Sequence, residues 1–378
     1  MFDILTFLNI EKEINIMNNS KSFKRDNMIL VDFSGILFQS IFASISIAKP
    51  QETDNKYNID EFINVAKGLV LNSLFEYQTK YSPTKGDIVI CLDDYTEQNW
   101  RKSILPSYKS SRKTDRDESK IPFDLVFKHV DEFLEQLKTN TPWKVIRVPG
   151  AEADDVILSL AKQYSQRESV LIISSDKDMI QAQKRPNVTQ FSPRTKKFVT
   201  PETKGGDMEF WLTEHVLLGD SADEIPKITD QTKFSPEFES FLESKNIPLT
   251  EEKYFSLNEE TRNRVLSAFG SDDIWKNPRL GPKMVQKLLE EGKVDEFINN
   301  NALYKKNFER NKQLILDDYI PVEICNKCVL SYVEQKKIIS SQNTRDFKNY
   351  LSSNGLSQFT ETLPFNFVTG TISIEDFL

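Results

Sequence analysis

The chain has 378 residues, 28% of them charged and 38% hydrophobic, and a formal net charge of −8. This length predicts one large domain or two unequal ones, and without an apolar run of about 18 residues the chain is not expected to contain a transmembrane helix. Because it has only three cysteines, an odd number, we expect a reducing compartment and no disulfide framework.

A flexible leader is predicted over residues 1–26, which lack the basic region and cleavage site of a signal peptide. Four apolar runs then predict buried strands at Met28–Asp32, Asp87–Asp93, Trp143–Val148 and Val170–Asp176. Apolar residues at helical spacing predict helices at Val65–Tyr77, Phe123–Leu137, Asp154–Tyr164 and Glu209–Leu218. This alternation predicts an α/β fold, with a mostly parallel central sheet and helices on both of its faces.

The strand signals fade beyond about residue 226, where the sequence is polar and mostly helical in pattern. We therefore expect an α/β domain over residues 27–225, a smaller, mostly helical domain over 226–370 and a tail over 371–378. Within the helical region, Cys325 and Cys328 form a lone CxxC pair. Zinc would need two more ligands, and the chain has only His129 and His215. We interpret the pair as small apolar residues on a helix and expect no histidine-based catalysis.

Three of the predicted strands end in an aspartate, at Asp32, Asp93 and Asp176. One such residue would be weak evidence, because Asp also caps helices and forms turns. Parallel strands, however, place their carboxyl ends at one edge of a sheet, where ligands bind. The three carboxylates are therefore expected to converge.

More acids follow in short stretches that border predicted helices: Glu152, Asp154 and Asp155, then Asp178, then Asp220 and Asp223. Capping explains some of them, but the last two follow a helix C-terminus, where anions are unfavourable. Converging carboxylates must take up protons or bind hard cations, and ligand sets made only of oxygen favour Mg²⁺ or Mn²⁺ over zinc. Two such ions about 4 Å apart are typical of phosphodiester hydrolysis, which we favour over a set of unrelated surface acids.

A basic segment follows the strand that ends at Asp93. Between Arg101 and Arg116, six basic residues and one acidic residue give a net charge of +5, with Trp100 and Tyr108 nearby. Cations interleaved with aromatic residues suit a channel for single-stranded nucleic acid, whereas a solvated helix face is the alternative. Because the segment starts at the predicted acidic edge, we favour nucleic-acid binding.

In combination, these motifs resemble the flap endonuclease/5′-nuclease family and, within it, the ribonucleases H of T-even-type bacteriophages. The resemblance covers roughly residues 28–335 and rests on Leu30–Ser34, Leu92–Asp94, Trp100–Arg101, Tyr108–Arg112, Glu152–Asp155, Ile172–Asp178, Pro186–Val188, Phe191–Pro193, Gly219–Asp223 and Asp318–Pro321. It implies 5′→3′ exonuclease and flap endonuclease activity, with ribonuclease H activity, on RNA–DNA and DNA duplex ends. It further implies RNA-primer removal during phage DNA replication, in the cytoplasm of the bacterial host.

The resemblance also implies roles for individual residues. Two Mg²⁺ ions, which Mn²⁺ can replace, would be held by two groups of ligands, Asp32, Asp93, Glu152, Asp154 and Asp176 for the first and Asp178, Asp220 and Asp223 for the second, with Asp176 near both. Lys109 and Arg112 would be a catalytic pair at the base of a helical arch over about residues 94–121. The basic segment itself, and not the resemblance, predicts nucleic-acid contacts for Arg101, Lys102, Tyr108, Lys113 and Arg116.

One family element is altered. The helix–hairpin–helix that grips duplex DNA has two glycines in its turn, and the stretch Arg279–Lys283 keeps only Gly281, followed by Lys283, about 55 residues beyond Asp223. The helical domain is thus implied to bind duplex through Gly281 and Lys283, and the inserted segment Pro226–Trp275 leaves the details open.

Partners other than DNA and RNA–DNA duplexes are left open by the sequence. The apolar tail over residues 371–378 could pack on the body of the protein or bind a sliding clamp, and the apolar residues 1–8 are a rival candidate for partner binding. A single-strand-binding protein is a further candidate, and we expect a monomer that does not bind membranes.

Other classes of function are less well supported. No GxxxxGK[ST] motif is present, which argues against a phosphotransferase. A PIN-like ribonuclease would share the sheet and the acids but not the long basic segment. A non-catalytic, structure-specific nucleic-acid-binding protein would not be expected to keep the whole acid set.

Overall fold

The computed structural model describes residues 27–47, 59–119, 121–201, 207–271, 274–276, 279–335 and 339–363. The predicted leader and the apolar tail lie outside the described residues, so their roles stay predictions. Within the described ranges, no helix is both long enough and apolar enough to cross a bilayer.

A six-stranded sheet forms the centre of the fold, in the order β3-β2-β1-β4-β5-β6. Its strands are β1 Met28–Asp32, β2 Asp87–Leu92, β3 Lys144–Arg147, β4 Val170–Ile173, β5 Val188–Ser192 and β6 Lys197–Val199. All neighbours pair in parallel except β6, which runs antiparallel to β5. The predicted α/β fold with a mostly parallel sheet is therefore confirmed. Strand β4 ends earlier than predicted, so Asp176 lies in the loop that follows it.

Successive strand residues point to opposite sides of the sheet, and in this sheet both sides are apolar. Helices therefore cover both faces. Ile29 and Val31 of β1 pack in one buried cluster, and Met28 and Leu30 pack in another. The first face is covered by α1 Phe33–Ile47, α2 Ile59–Lys85 and α4 Phe123–Asn140, and the second by α5 Ala153–Tyr164. A 3₁₀ turn, Trp100–Ser103, and a short helix, α3 Ser111–Asp117, lie between β2 and α4, in the segment predicted to form the arch.

The region beyond residue 200 is helical, as predicted. Its helices are α6 Met208–Leu218, α7 Pro236–Ser244, α8 Glu251–Ser256, α9 Glu259–Phe269, α10 Pro282–Glu290, α11 Val294–Asn299, α12 Ala302–Ile315, α13 Val322–Glu334 and α14 Ser341–Ser353. Helices α7 to α9 surround an aromatic cluster of the inserted segment. Helix α13, which carries Cys325 and Cys328, packs against α5 and β3, and α14 packs against α4. The last two helices thus add to the layers around the sheet, whereas a domain boundary at residue 226 stays a prediction.

Candidate active site

The sheet positions two carboxylates directly. Asp32 ends β1, where Ser174 Oγ donates a hydrogen bond to its Oδ2 at 2.7 Å. Asp93 follows β2 and accepts hydrogen bonds from Ser34 Oγ at 2.6 Å and from the Ala153 amide at 2.8 Å. Because α1 begins directly after β1 and α5 begins beside Asp93, donors at the starts of these two helices hold Asp93. The two strand-end acids consequently have fixed orientations at one edge of the sheet.

The start of α5 supplies further acids, and a buried arginine organises them. Arg101 donates two hydrogen bonds to Asp155, at 2.8 and 3.0 Å, and a third to Glu152 at 3.1 Å. Its Nε also donates to the Leu314 carbonyl at 3.0 Å, at the end of α12. Tyr108 is buried as well and donates to Glu152 at 2.8 Å. These contacts fix the carboxylate of Glu152 from two sides.

The burial of Arg101 and Tyr108 corrects our expectation for these two residues. Sequence patterning predicts both as nucleic-acid contacts, but Arg101 is 6% exposed and Tyr108 is 2% exposed. A buried guanidinium in a bidentate pair is committed to its carboxylate. Arg101 therefore positions Glu152 and Asp155 from inside the protein. Tyr108 positions Glu152 and reaches the lining of the adjacent cavity with only 2% of its surface exposed.

Lys109 and Arg112 reach the acids from the basic segment. Lys109 Nζ lies 2.6 Å from Glu152 Oε1 and 3.4 Å from Asp223 Oδ2, and Arg112 Nη2 lies 2.6 Å from Asp223 Oδ1. Lys109 adopts a φ of 51°, a left-handed conformation that is uncommon for residues with side chains. Its amide donates to the Asp223 carbonyl at 3.2 Å, so that backbone and side chain both hold it against the acidic edge.

Three carboxylates at the centre of the cluster hold protons more tightly than usual. Burial raises the pKa of Asp154 well above its ordinary value, and the nearby charges of Asp176 and Asp32 raise it further. Burial and the neighbouring Asp178 raise the pKa of Asp176 to about 6, and burial raises the pKa of Asp32, to which Asp93 adds. Like charges that are crowded out of water favour protonation or a bound cation.

Glu152 shows the opposite behaviour within the same cluster. Burial alone would raise its pKa, but Lys109 and Arg101 lie so close that the pKa is held at about 2. Glu152 is therefore ionised at neutral pH. The cluster thus combines one acid neutralised by the protein's own cations with three acids that need an external cation or a proton.

A further group of side chains lies at the end of α6. Gly219 ends that helix with a φ of 66°, and a Cβ at this position would meet the Ile225 carbonyl oxygen at 2.3 Å; only glycine therefore permits the turn that follows. Asp220 then accepts a hydrogen bond from the Ala222 amide at 2.8 Å and pairs with Lys177 Nζ at 2.7 Å. Asp220 is therefore accommodated after the C-terminus of α6, because it caps the next 3₁₀ turn and pairs with a lysine.

The structure brings the eight predicted acids together at one edge. Mutual charge interactions join Asp32 to Asp93, Asp154 to Asp176 and Glu152, and Asp176 to Asp178 and Asp223. Asp220 joins the set through His215, whose Nε2 lies 3.2 Å from Asp178 Oδ1 and 3.6 Å from Asp220 Oδ2. Asp178 Oδ1 and His215 Nε2 are buried without a hydrogen-bond partner among the described residues. Buried ligand atoms without partners, next to carboxylates with raised pKa values, fit divalent cations.

The other predicted nucleic-acid contacts are more dispersed. A cavity of about 1190 Å³ extends from the acids, with Lys102 and Arg116 in its lining and the aromatic rings of Phe38, Phe123 and Phe127 on its apolar side. Gly281 caps α10, and Lys283 is exposed in its first turn. Lys113 lies on α3, and its side chain is not among those that the structure describes.

Sequence patterns assign no role to four residues that complete the site, Ser34, Ser174, Lys177 and His215, and they indicate Asp155 only as one of the acids that border a predicted helix. Asp155 and Lys177 are adjacent in sequence to predicted ligands, so only their partners, Arg101 and Asp220, were unknown. Ser34 and Ser174 carry no signal beyond their proximity to strand ends. His215 precedes Asp220 by five residues on α6, a spacing that indicates a site only once the turn at Gly219 is known.

Acids gathered at the carboxyl edge of a parallel sheet, with a cationic segment beside them, define a class of metal-dependent phosphodiester hydrolases. Residues 27–206 match the 5′-3′ exonuclease, N-terminal resolvase-like domain. Over this region the chain is similar to the 5′-3′ exonucleases and flap endonucleases.

Two curated relatives and one solved structure illustrate the similarity. The chain is 30% identical over 213 residues to ribonuclease H of Enterobacteria phage T4, an alignment that covers 56% of this chain and 66%, just under two thirds, of that protein. It is 28% identical over 335 residues to a 5′-3′ exonuclease of Buchnera aphidicola subsp. Acyrthosiphon pisum, covering 87% of this chain and 99% of the relative. The structure of the T5 5′-exonuclease with bound divalent metal ions (zinc) aligns with a TM-score of 0.44 at 18% identity, over 86% of this chain and 99% of that one.

Proposed function

We propose that this chain is a two-metal-ion 5′→3′ exonuclease and flap endonuclease with ribonuclease H activity. Its substrates would be DNA and RNA–DNA duplexes with 5′ ends or flaps, and its role the removal of RNA primers during phage DNA replication in the host cytoplasm. The observation that carries the proposal is the convergence of eight carboxylates, three with raised pKa values, next to Lys109. Such a cluster is costly without cations, and in-line phosphodiester displacement uses two of them.

The eight acids divide between two Mg²⁺ ions, which Mn²⁺ could replace. Asp32, Asp93, Glu152, Asp154 and Asp176 would hold the first, directly or through water, and Asp178, Asp220 and Asp223 the second, with Asp176 near both. When bound, such ions lower the pKa of water and neutralise charge on the phosphate. The hard oxygen donors of the first group support Mg²⁺ there.

Lys109 and Arg112 would stabilise the negative charge that develops on the scissile phosphate. Support comes from their placement, since both contact Asp223 and Lys109 also contacts Glu152. Lys109 is held by its backbone as well as its side chain, so its ammonium group is oriented before substrate arrives. Arg101 and Tyr108 would act indirectly, because they hold the carboxylate of Glu152 in place.

The path of the nucleic acid follows the cavity beside the acids. Lys102 and Arg116 are suited to contacting phosphates, and the aromatic lining formed by Phe38, Phe123 and Phe127 is suited to unpaired bases. We assign the arch to about residues 94–121 and duplex binding to the helical region 226–370, where Gly281 and Lys283 would contact one strand. The tail 371–378 or the leader would bind a sliding clamp, and a single-strand-binding protein is a further partner of this monomeric enzyme.

The test compares 5′-labelled flap, nicked and RNA-primed duplexes as substrates in the presence of Mg²⁺. We expect 5′-directed cleavage of all three, loss of cleavage in Asp154→Asn and Asp176→Asn, and retained DNA binding in both variants. Asp346→Asn, an exposed change on α14, is the matched control and should cleave normally.

Three results would contradict the proposal. Turnover in both aspartate variants would refute the metal assignment. Cleavage of single-stranded RNA without regard to 5′ ends would indicate a PIN-like ribonuclease instead. Tight binding of flaps without cleavage at any divalent metal concentration would indicate a non-catalytic nucleic-acid-binding protein.

A further inference from the structure

His215 occupies an unusual position for one of only two histidines in the chain. It lies in the last turn of α6 and is 8% exposed. Trp211, one turn earlier, stacks on the imidazole with ring centroids 5.3 Å apart and an angle of 12° between the planes. The orientation of the ring is therefore fixed by packing, and its Nε2 edge faces the carboxylates of Asp178 and Asp220.

The polar atoms at this edge lack partners. His215 Nε2 and Asp178 Oδ1 are both buried, lie 3.2 Å apart, and make no hydrogen bond within the part of the chain that the structure describes. Buried polar atoms are normally satisfied by protein, water or a bound ion. An unprotonated Nε2 that faces two carboxylates is repelled by them unless a cation lies between, whereas a protonated Nε2 would be attracted to them.

The two separations from the imidazole nitrogen are close to those expected among ligands of one ion, and all three ligand atoms lie within 4.8 Å of one another. Ligand atoms about 2.1 Å from a metal lie about 3.0 Å apart in an octahedral site and about 3.4 Å apart in a tetrahedral one. His215 Nε2 lies 3.2 Å from Asp178 Oδ1 and 3.6 Å from Asp220 Oδ2. Small movements of two carboxylates would therefore complete a site around the rigid imidazole.

The competing cation at this site, Lys177, is far more exposed to solvent than His215. Lys177 Nζ lies 2.7 Å from Asp220 Oδ2, but its side chain is 46% exposed. A lysine on a flexible stem can withdraw to solvent when an ion binds. His215 cannot withdraw in this way, because it is buried and stacked on Trp211.

We propose that His215 Nε2 is a direct ligand of the second metal ion, together with Asp178 and Asp220. This assignment rests on the proposed function for the identity of the second site and replaces its oxygen-only ligand set with a mixed nitrogen and oxygen set. Imidazole suits Fe²⁺, Ni²⁺ and Zn²⁺, whereas carboxylate oxygens suit Mg²⁺ and Mn²⁺. The second site should therefore bind Ni²⁺ or Zn²⁺ more tightly, relative to Mg²⁺, than the first site does with its oxygen ligands.

The direct test is electron spin-echo envelope modulation of Mn²⁺ bound to the full chain without nucleic acid. A directly coordinated imidazole gives a ¹⁴N coupling, and with two histidines in the chain its source can be assigned by two variants. We expect the coupling in the wild type and in His129→Gln, and its loss in His215→Gln. His129 is the matched control because it pairs with Glu132 on α4, outside the acidic group.

A titration provides the second readout. In His215→Gln, Mn²⁺ affinity at one of the two sites should fall by at least about 10- to 100-fold, the loss that follows removal of a residue that only orients a metal ligand, while the other site is unchanged. His215→Asp, which supplies an oxygen ligand, should restore binding without the ¹⁴N coupling and shift the preference towards Mg²⁺. Recovery of binding in this variant also shows that the site remains folded.

Two results would overturn the assignment. If Mn²⁺ binds the wild type without ¹⁴N coupling, the imidazole serves as a charged partner of the carboxylates instead of a ligand. If the coupling persists in His215→Gln, another nitrogen binds the ion. Because neither readout uses a nucleic-acid substrate, wild-type protein that shows the coupling but cleaves no flap would refute the proposed function and leave the metal ligand in place.

Discussion

Two groups of acids in the same cluster solve the problem of crowded negative charge in different ways. The paired carboxylates, Glu152, Asp155 and Asp223, contact Arg101, Lys109 or Arg112 at distances of 2.6 to 3.4 Å. The crowded carboxylates, Asp32, Asp154 and Asp176, have raised pKa values because burial and like charges dominate. Where the protein supplies its own cations, these cations hold the carboxylates in place, and where it does not, the negative charge is left for an external ion to offset.

Mutations should destabilise the fold when they affect the paired carboxylates and should impair catalysis alone when they affect the crowded carboxylates. Removing the cation that pairs with a carboxylate of the first group leaves the negative charge of that carboxylate buried without a partner, which destabilises the folded state. Neutralising a crowded carboxylate relieves repulsion instead. Substitutions in the two groups and around them should therefore differ in both the size and the kind of their effects.

Arg101→Ala should cause the largest loss of stability. It removes the partner of Asp155, whose side chain is fully buried, and broken buried pairs cost about 3–5 kcal/mol in the free energy of unfolding. Urea denaturation measures this loss. Arg264→Ala is the control, because its pair with Glu260 is 77% and 76% exposed and should contribute less than about 0.5 kcal/mol. Equal stabilities of the two variants would contradict a structural role for Arg101.

Lys109→Ala should act on rate more than on stability. Losing one charge that stabilises a transition state typically reduces the rate by about 10²- to 10³-fold, and flap binding should weaken only modestly. Single-turnover cleavage at saturating Mg²⁺ and a separate binding titration give the two quantities. Lys109→Arg keeps the charge and should recover part of the rate. Unchanged single-turnover kinetics in the alanine variant would refute the assigned role.

The two groups should respond oppositely to acid in protein stripped of metal. The folded-state pKa of Asp176 is about 6, above its ordinary 3.8, so the folded state binds protons more tightly and this group destabilises it as pH rises from about 4 through 6. Glu152, held at about 2, stabilises the fold above its ordinary 4.5, and this contribution is lost as pH falls towards 2.

Asp176→Asn isolates the first of these effects. In EDTA the variant should unfold at a higher temperature than the wild type at pH 7, and the difference should shrink as pH falls towards 4. Asn also caps helices well, so the oxygen of its side chain can still accept the hydrogen bond that the Asp178 amide donates to Asp176 Oδ1. With saturating Mg²⁺ the order should reverse, because the wild type alone retains the carboxylate. A difference independent of pH would show that Asp176 is not crowded.

The smallest effect is expected for the cationic lining of the cavity. Changing Lys102 and Arg116 together to Ala should weaken flap binding a few-fold. The slope of the logarithm of the binding constant against the logarithm of the salt concentration should become less steep by about 0.7 to 0.9 for each phosphate that is no longer neutralised. Binding measured at several salt concentrations checks this, with the exposed Arg345 on α14 changed to Ala as control. An unaltered salt dependence would place the nucleic acid elsewhere.

Much of the fold was predictable because its signals are local. Apolar runs buried on both faces identify β1 to β4, and amphipathic spacing identifies α4 and α5. Strands β5 and β6 were not predicted, since Gln190 and Ser192 interrupt one apolar run and the other has only three residues. Helix α1, which follows Asp32 directly, was also missed, because its apolar residues surround the whole helix.

Local patterns are enough to locate the acids at strand ends and helix starts and to predict that they converge at one edge of a parallel sheet. The charge states of these acids and their partners depend on how the chain packs. Arg101 has the same chemistry as the exposed Arg116, and only its burial against Asp155 makes it structural. His215 likewise belongs to the site only because the turn at Gly219 brings Asp220 back towards it. Proximity between residues distant in sequence, and exclusion of water, are properties of the packed chain and not of any local pattern.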